Sequence, residues 1–142
     1  MTISARIHYA ALALAELAIQ SQSANPIAAS EISERHGIPG PFLVQILRTL
    51  RSAGWVQSMR GSQGGYRITI SPSELTMLQV AEAVGCIEPA CPVETSASPA
   101  ASALNASWRS AHEASRAVLA ETTLDQIVAA AMADRDAAMF YI

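Results

Sequence analysis

The amino-acid sequence predicts a mainly α-helical chain with a small β-hairpin: a winged helix-turn-helix followed by a long helix suited to dimerisation. Three observations support this fold class. Two helical patterns meet at the short connection "HGIPG". Two alternating, strand-like stretches flank the turn "RGSQGG". Further along, small and apolar residues repeat at coiled-coil spacing from Leu104 to Val118.

The first half of the chain predicts three helices, spanning residues 4–21, 29–37 and 38–54. Ser4 and Ser30 are candidate caps for the first and second helices, because a serine hydroxyl accepts a bond from a free amide. Gly37 stands where the second helix is expected to end. In the third helix, Pro41 suits the first turn and Gly54 marks the end. Its apolar face is made by Phe42, Ile46, Leu47 and Leu50.

The rest of the chain predicts a hairpin and three further helices. "WVQSM" and "YRITI" alternate as paired strands. A short helix is expected from Thr76 to Val84, and a long helix over residues 102–120 precedes a last one that begins at Thr122 or Thr123. These elements divide the chain into a winged helix-turn-helix domain at 1–84, a cysteine-bearing loop at 85–101, and a dimerisation helix with a C-terminal helix at 102–142.

Charge is distributed unevenly along the sequence. The overall net charge is −3. Residues 1–70 hold six arginines against three glutamates, whereas residues 71–142 hold three arginines against nine acidic residues. A basic first half and an acidic second half predict two different tasks. The chain has no lysine, so each strong positive charge is a guanidinium suited to phosphate or guanine.

Several classes of protein do not match the sequence. No stretch reaches the roughly 18 consecutive apolar residues of a membrane helix, and the N-terminus lacks a secretory signal pattern. We therefore expect a cytoplasmic protein with no membrane partner. "RGSQGG" lacks the order of a phosphate-binding GxxxxGK[ST] loop, and no nucleophile, base and orienting group stand out together, so we expect no enzyme.

The motifs, in their order, resemble the BadM-like (Rrf-two) family of bacterial transcriptional regulators, which includes iron–sulfur cluster, nitric-oxide and cysteine-metabolism regulators. The resemblance rests on "ISARIHYA", "GIPGPFLVQILRTLRSAGWV", "RGSQGGYRI", "SELTMLQVAEAVG" and "TTLDQI". It implies a homodimer that binds double-stranded DNA at near-palindromic operators, and we expect a repressor. The alternative is a winged-helix protein-interaction module without specific DNA binding.

The third helix and the hairpin turn supply the candidate DNA contacts. Gln45 can pair with adenine, and Arg48 and Arg51 can reach phosphates or bases. Arg60 can contact a phosphate or enter the minor groove. The turn glycines permit positive φ and a close approach of the backbone to DNA, and the amides of the last two can donate to phosphate. The candidate DNA-binding residues are Gly40, Pro41, Val44, Gln45, Arg48, Arg51, Arg60, Gly61, Ser62, Gln63, Gly64, Gly65 and Tyr66.

The predicted dimer interface lies on the long helix. Its residues follow a four-three-four-three spacing, and the small members allow a second helix to approach closely. The interface residues are Leu104, Trp108, Ala111, Ser115 and Val118.

Cys86 and Cys91 leave the sensing mechanism open. In cluster-binding relatives three cysteines stand before the long helix, but here the third expected position holds Ser102. Two thiolates do not hold a two-iron cluster alone. One interpretation completes a metal site across the dimer with His8 or His36. A second is a reversible disulfide or a reactive thiol. A third is that the cysteines no longer sense anything.

Overall fold

The computed structural model describes residues 2–23, 25–85 and 98–140. In these residues the elements are, in order, α1 (Ala5–Ile19), α2 (Ala29–His36), α3 (Gly40–Ser52), β1 (Val56–Met59), β2 (Gly65–Ile68), α4 (Met77–Val84), α5 (Pro99–Glu121) and α6 (Leu124–Phe140), with 3-10 turns at Gln20–Gln22 and Pro72–Glu74. The predicted fold class, mainly helical with a hairpin wing, is confirmed. Residues 86–97, including Cys86 and Cys91, lie outside the described residues.

Helix α1 lies at the centre of the core. The Ser4 side chain accepts a hydrogen bond from the Ile7 amide, as the sequence predicted. Ala10, Ala13 and Leu14 are fully buried, and the helix packs against α3, α4 and α6. Alanines at two of these positions let the neighbouring helices approach closely, which allows one helix to serve as a common support.

The helix-turn-helix is formed by α2 and α3, but its first cap differs from the prediction. Gly37 takes the left-handed conformation (φ 63°) at the end of α2, as expected. The prediction of Ser30 as the cap of α2 was wrong, since the helix begins one residue earlier, at Ala29, and Ala28 holds the cap position without a side-chain bond. Its position follows from Ile27, whose amide and carbonyl both pair with Tyr66 of β2.

The wing is an antiparallel hairpin in which Val56 faces Ile68 and Met59 faces Gly65. Gly54 ends α3 with a φ of 82°, and the Trp55 amide donates back to the Leu50 carbonyl at 3.1 Å. Because Ile27 also bridges to β2, the wing is tied both to α3 and to the segment before α2.

The C-terminal helices return to the same core. The Met77 amide donates to the Thr122 carbonyl, and the Leu124 amide to the Leu75 carbonyl, each at 2.8 Å. Leu124 is fully buried in the main core cluster. Helix α5 begins at Pro99, three residues before the predicted start, because Ser98 accepts a bond from the Ala101 amide and a proline is favoured in a first helical turn.

Candidate nucleic-acid interface

Helix α3 has one buried and one exposed face. Leu43, Ile46, Leu47 and Leu50 are fully buried, which fixes the orientation of the helix on the core. The opposite face exposes the predicted contact residues of this helix: Gly40, Pro41, Val44, Gln45, Arg48 and Arg51. All six predicted positions therefore share one solvent-facing surface, as a recognition helix requires.

The three arginines of the surface have different surroundings. The Arg51 Nη1 atom donates to the Ser58 hydroxyl of β1 at 3.2 Å, which links the exposed face of α3 to the hairpin. Within the described part of the chain, the guanidinium groups of Arg48 and Arg60 make no ion pair or hydrogen bond with the protein. Their guanidinium groups are therefore available to a ligand from outside.

The wing glycines play different parts in the hairpin. Only Gly61 uses the positive φ that glycine permits, at 118°, with open space where a Cβ would stand. A Cβ on Gly64 would overlap the Met59 carbonyl oxygen, and one on Gly65 would overlap the Ile27 carbonyl oxygen. These two glycines are needed because other backbone segments pass close by.

The structure also changes the expected hydrogen-bond donors of the wing. The Gly64 amide donates to the Gly61 carbonyl at 3.0 Å and closes the turn, so the prediction that it donates to phosphate was wrong. Tyr66 pairs with Ile27 through its backbone, and its half-buried ring packs against the core. The exposed tip consists of Arg60, Gly61, Ser62 and Gln63.

Arg6 of α1 contacts the recognition helix α3, a pairing that the sequence did not predict. Its Nη2 atom donates to the Thr49 hydroxyl at 3.3 Å, and that hydroxyl donates to the Gln45 carbonyl at 3.2 Å. The Arg6 Nε atom is buried and has no hydrogen-bond partner among the described residues. The start of α1 is therefore held against the middle of α3, and no periodicity in the sequence indicates this pairing.

A buried carboxylate joins α1 to α2. Glu16 is 7% exposed and accepts bonds from Arg35, from His36 Nε2 at 3.0 Å and from Gln20 at 3.3 Å. Arg35 also pairs with Glu31 at 2.7 Å. Burial alone raises the pKa of Glu16, but the bonds from His36, Arg35 and Gln20 outweigh it and hold that pKa below its ordinary value of 4.5. The cluster fixes α2 against the end of α1.

Within one chain, the two candidate histidine ligands His8 and His36 lie apart. His36 is occupied by Glu16, whereas His8 is exposed eight residues, or about 12 Å, earlier on α1. Ser102 is exposed in the first turn of α5. Among the described residues, no three His, Cys, Asp or Glu side chains are placed to hold a metal ion. Two thiolates alone do not hold a two-iron cluster, and Cys86 and Cys91 lie outside the described residues.

The predicted dimer interface is solvent-exposed in this single chain. Leu104, Trp108 and Val118 are 53%, 56% and 63% exposed, and Ala111 is exposed beside a half-buried Ser115. No residue of α5 is buried although the helix is 23 residues long.

Among the described residues, no helix is both long and apolar enough to cross a membrane.

A winged helix-turn-helix with unpaired arginines on its recognition surface defines the class of winged-helix transcriptional regulators. Comparison with known proteins identifies the family. Residues 3–130 match the Rrf2 family, described as "Iron-dependent Transcriptional regulator". The chain belongs to the Rrf2 family of transcriptional regulators, which is a family of regulators and not of enzymes.

Individual relatives agree with this assignment. The helix-turn-helix regulator Rv1287 of Mycobacterium tuberculosis is 32% identical over 139 residues, covering 93% of this chain and 84% of that protein. IscR of Aliivibrio salmonicida is 38% identical over 84 residues, which cover 59% of this chain and 49% of IscR. A Synechocystis regulator, slr0846, matches at 38% over 84 residues and 56% of its length. The match thus spans about half of these last two relatives.

Solved structures share the fold over nearly the whole chain. The structure of IscR from T. potens gives a TM-score of 0.75 at 27% identity and covers 92% of this chain and 88% of that one. CymR, the global cysteine regulator of B. subtilis, gives 0.75 at 28% identity and covers 91% and 97%. These structures, an IscR and a global cysteine regulator, agree with the family match.

Proposed function

We propose that the chain binds double-stranded DNA sequence-specifically as a homodimer and represses transcription from near-palindromic operators. The observation that carries this proposal is the continuous surface formed by α3 and the wing. Arg48 and Arg60 lie unpaired on it, and the Arg51–Ser58 bond joins its two parts. A surface of this kind suits a duplex, since the helix can enter the major groove while the wing follows the backbone.

The residues have distinct roles in this proposal. Gln45, on the exposed face and near the start of α3, reads a base edge, with adenine as its best partner. Arg48 and Arg51 contact phosphates or bases beside it. Arg60 contacts phosphate or the minor groove, and Ser62 and Gln63 add hydrogen bonds from the wing tip. Gly40, Pro41 and Val44 let the helix approach closely, whereas Gly64, Gly65 and Tyr66 support the wing.

Dimerisation is part of the proposal because one domain offers few cations. The first 70 residues have an excess of three positive charges. Pairing through Leu104, Trp108, Ala111, Ser115 and Val118 would duplicate the recognition surface and place two half-sites about one helical turn apart. A regulator of this kind acts in the cytoplasm, where bacterial chromosomal DNA is found.

Salt dependence tests the DNA partner. We expect fluorescence anisotropy with labelled genomic fragments to show an affinity that falls steeply between about 50 and 200 mM salt, because bound phosphates release counterions. One fragment from the genome should bind more tightly than a random duplex of equal length. Absence of salt-dependent affinity for every fragment would contradict DNA binding and favour the protein-interaction alternative.

The two cysteines are the candidate residues for sensing a redox signal. We infer that a redox response, if the chain has one, is carried by Cys86 and Cys91, the only cysteines in the sequence. Anaerobic purification followed by iron and sulfide assays separates a cluster from a thiol chemistry. If the protein is iron-free and its DNA affinity differs between the oxidant diamide and the reductant dithiothreitol, a reversible disulfide is supported. If neither reagent changes the affinity, the cysteines have no sensing role.

A further inference from the structure

Arg6 carries a positive charge that no carboxylate balances within the described residues. Its side chain is half-buried, and its guanidinium makes no ion pair in that part of the chain. The Nε atom is buried and has no hydrogen-bond acceptor there. Taking a cation out of water without a carboxylate partner costs stability, so the placement of Arg6 points to a role other than stability.

The bond that Arg6 does make continues into the backbone of α3. Its Nη2 atom donates to Thr49 Oγ1 at 3.3 Å, and Thr49 Oγ1 donates to the Gln45 carbonyl oxygen at 3.2 Å. A hydroxyl that accepts a bond from a cation is polarised and donates more strongly, so the two bonds strengthen each other. The cation on α1 is thereby linked to the backbone of Gln45, the residue assigned above to a base edge.

Ser52 makes the comparable bond on α3 without a partner from α1. Its hydroxyl donates to the Arg48 carbonyl at 3.1 Å, four residues earlier, just as the Thr49 hydroxyl donates to the carbonyl of Gln45. Bonds of this kind bend a helix slightly. Of these two hydroxyls, the one at Thr49 is held from α1, which makes Ser52 an internal reference for the effect of that contact.

A second contact from α1 lies nearer the start of α3. The Tyr9 ring meets the Phe42 ring edge-on, with centroids 5.8 Å apart and planes at 83°. Phe42 lies in the first turn of α3, and Thr49 follows seven residues later, about 10.5 Å along the axis. Two contacts this far apart fix the inclination of a helix, whereas one contact leaves it free to rock. Gln45 lies between them.

We propose that Arg6 is a positioning residue for sequence recognition: through Thr49 it holds α3 at the inclination in which the Gln45 side chain reaches a base edge. The inference rests on the proposed DNA binding and adds to it a residue that determines specificity. A hydrogen bond to a base is kept over only about 0.5 Å of donor–acceptor distance, whereas flexible arginines can follow a displaced phosphate. Loss of the contact should therefore reduce discrimination between sequences and leave the phosphate contacts in place.

Thr49→Val tests the relay because it removes the hydroxyl and keeps every charge. Fluorescence anisotropy with labelled duplexes compares the tightest-binding genomic fragment with a random duplex of equal length. We expect the affinity ratio to fall about tenfold, as for one lost base contact, with the slope of log affinity against log salt unchanged. Thr49→Ser keeps the hydroxyl and should restore the ratio to within about twofold of the wild type. Ser52→Ala, the matched control, should leave it unchanged.

Arg6→Gln tests the other end of the relay. We expect a similar fall in the ratio, and little further loss when Arg6→Gln is combined with Thr49→Val, because both substitutions interrupt the same pair of bonds. The salt slope should again equal that of the wild type. A slope reduced by about 0.9 in Arg6→Gln would show that Arg6 itself contacts a phosphate, and additive losses would show that the two residues act separately; either result overturns the positioning role.

The outcomes separate this inference from the proposed function. A wild-type protein without preference for any genomic fragment overturns both. If the wild type discriminates and Thr49→Val discriminates equally well, with its circular-dichroism spectrum and melting temperature preserved, only the positioning role is overturned. An equal loss of affinity for both duplexes also overturns it. Arg6→Gln carries the same comparison if Thr49→Val does not fold.

Discussion

At the scale of single residues, Glu16 shows how a carboxylate can be buried without being catalytic. The side chain lies within the apolar pattern of α1, and its charge is balanced by Arg35 and His36 of α2. Burying one charge without partners costs several kcal/mol, so the pairing explains why the helix tolerates it. Arg35 and His36 are sequence neighbours, and both converge on one group twenty residues earlier.

Replacing Glu16 tests this cluster. We expect Glu16→Gln to lower the free energy of unfolding by about 1–3 kcal/mol, since His36 and Arg35 lose a charged acceptor that is nearly inaccessible to water. Glu31→Gln removes the outer, exposed partner of Arg35 and should cost no more than about 0.5 kcal/mol. Urea denaturation followed by circular dichroism measures both. Equal effects of the two substitutions would contradict the special position of Glu16.

The lowered pKa of Glu16 also predicts a pH dependence. A carboxyl whose pKa is lower in the folded than in the unfolded state stabilises the fold above the ordinary value of 4.5, and this contribution is lost as pH falls through the folded-state pKa. The difference in stability between the wild type and Glu16→Gln should therefore be constant near neutral pH and shrink below about pH 4.5. A difference that grew on acidification would refute this assignment.

Arg60 is the residue whose charge is most directly assigned to DNA. We expect Arg60→Ala to weaken binding to operator and random duplex alike, and to reduce the slope of log affinity against log salt by about 0.9 per lost phosphate contact. Arg135→Ala removes an exposed arginine of α6 and is the matched control. An unchanged slope for Arg60→Ala would show that the wing does not touch phosphate.

At the scale of the elements, the wing is held by α3 and by the segment before α2, and Gly65 stands where the Ile27 backbone passes closest. We expect Gly65→Ala to lower stability by about 1–3 kcal/mol, because the new Cβ would collide with the Ile27 carbonyl and must displace the bridge. Ser62→Ala, at the exposed wing tip, should stay within about 0.5 kcal/mol. Thermal unfolding compares them. Comparable melting temperatures would mean that the bridge is dispensable.

The helices and hairpin could be predicted from the sequence because their signals are local. Ser4, Gly37 and the alternation around "RGSQGG" depend on neighbouring residues alone, and the structure confirms the elements they mark. The cap of α2 could not be predicted, since Ile27 is fixed by Tyr66, almost forty residues away. The same holds for Arg6 with Thr49 and for Glu16 with Arg35, whose partners are adjacent only after folding.

The roles of the wing glycines show the same limit within one motif. Composition alone marks three glycines in "RGSQGG", each able to adopt positive φ or to let a backbone approach closely. In the structure only Gly61 uses that freedom, whereas Gly64 and Gly65 make room for the backbones of Met59 and Ile27. Space around a residue is a tertiary property, so the sequence could mark the turn without distinguishing its parts.

At the scale of the whole molecule, the C-terminal helices are not an independent appendage. Although α6 follows the long helix α5, Leu124 is fully buried against the core built by the first 84 residues. We expect Leu124→Ala to lower the free energy of unfolding by about 2–5 kcal/mol, as for other buried leucines. Met139→Ala on the same helix should have almost no effect. A small loss for Leu124→Ala would indicate that residues 1–84 are stable without α6.

The two backbone bonds that join Met77 to Thr122 and Leu75 to Leu124 make α5 a lever with its fulcrum at the C-terminal end. The helix is about 34 Å long, so a tilt of about 5° at the fulcrum moves the far end by about 3 Å. That displacement is close to the rise of one base step, about 3.4 Å. In the proposed homodimer, a small angular change at Thr122 would therefore shift one α3 relative to the other by a distance comparable to one base step.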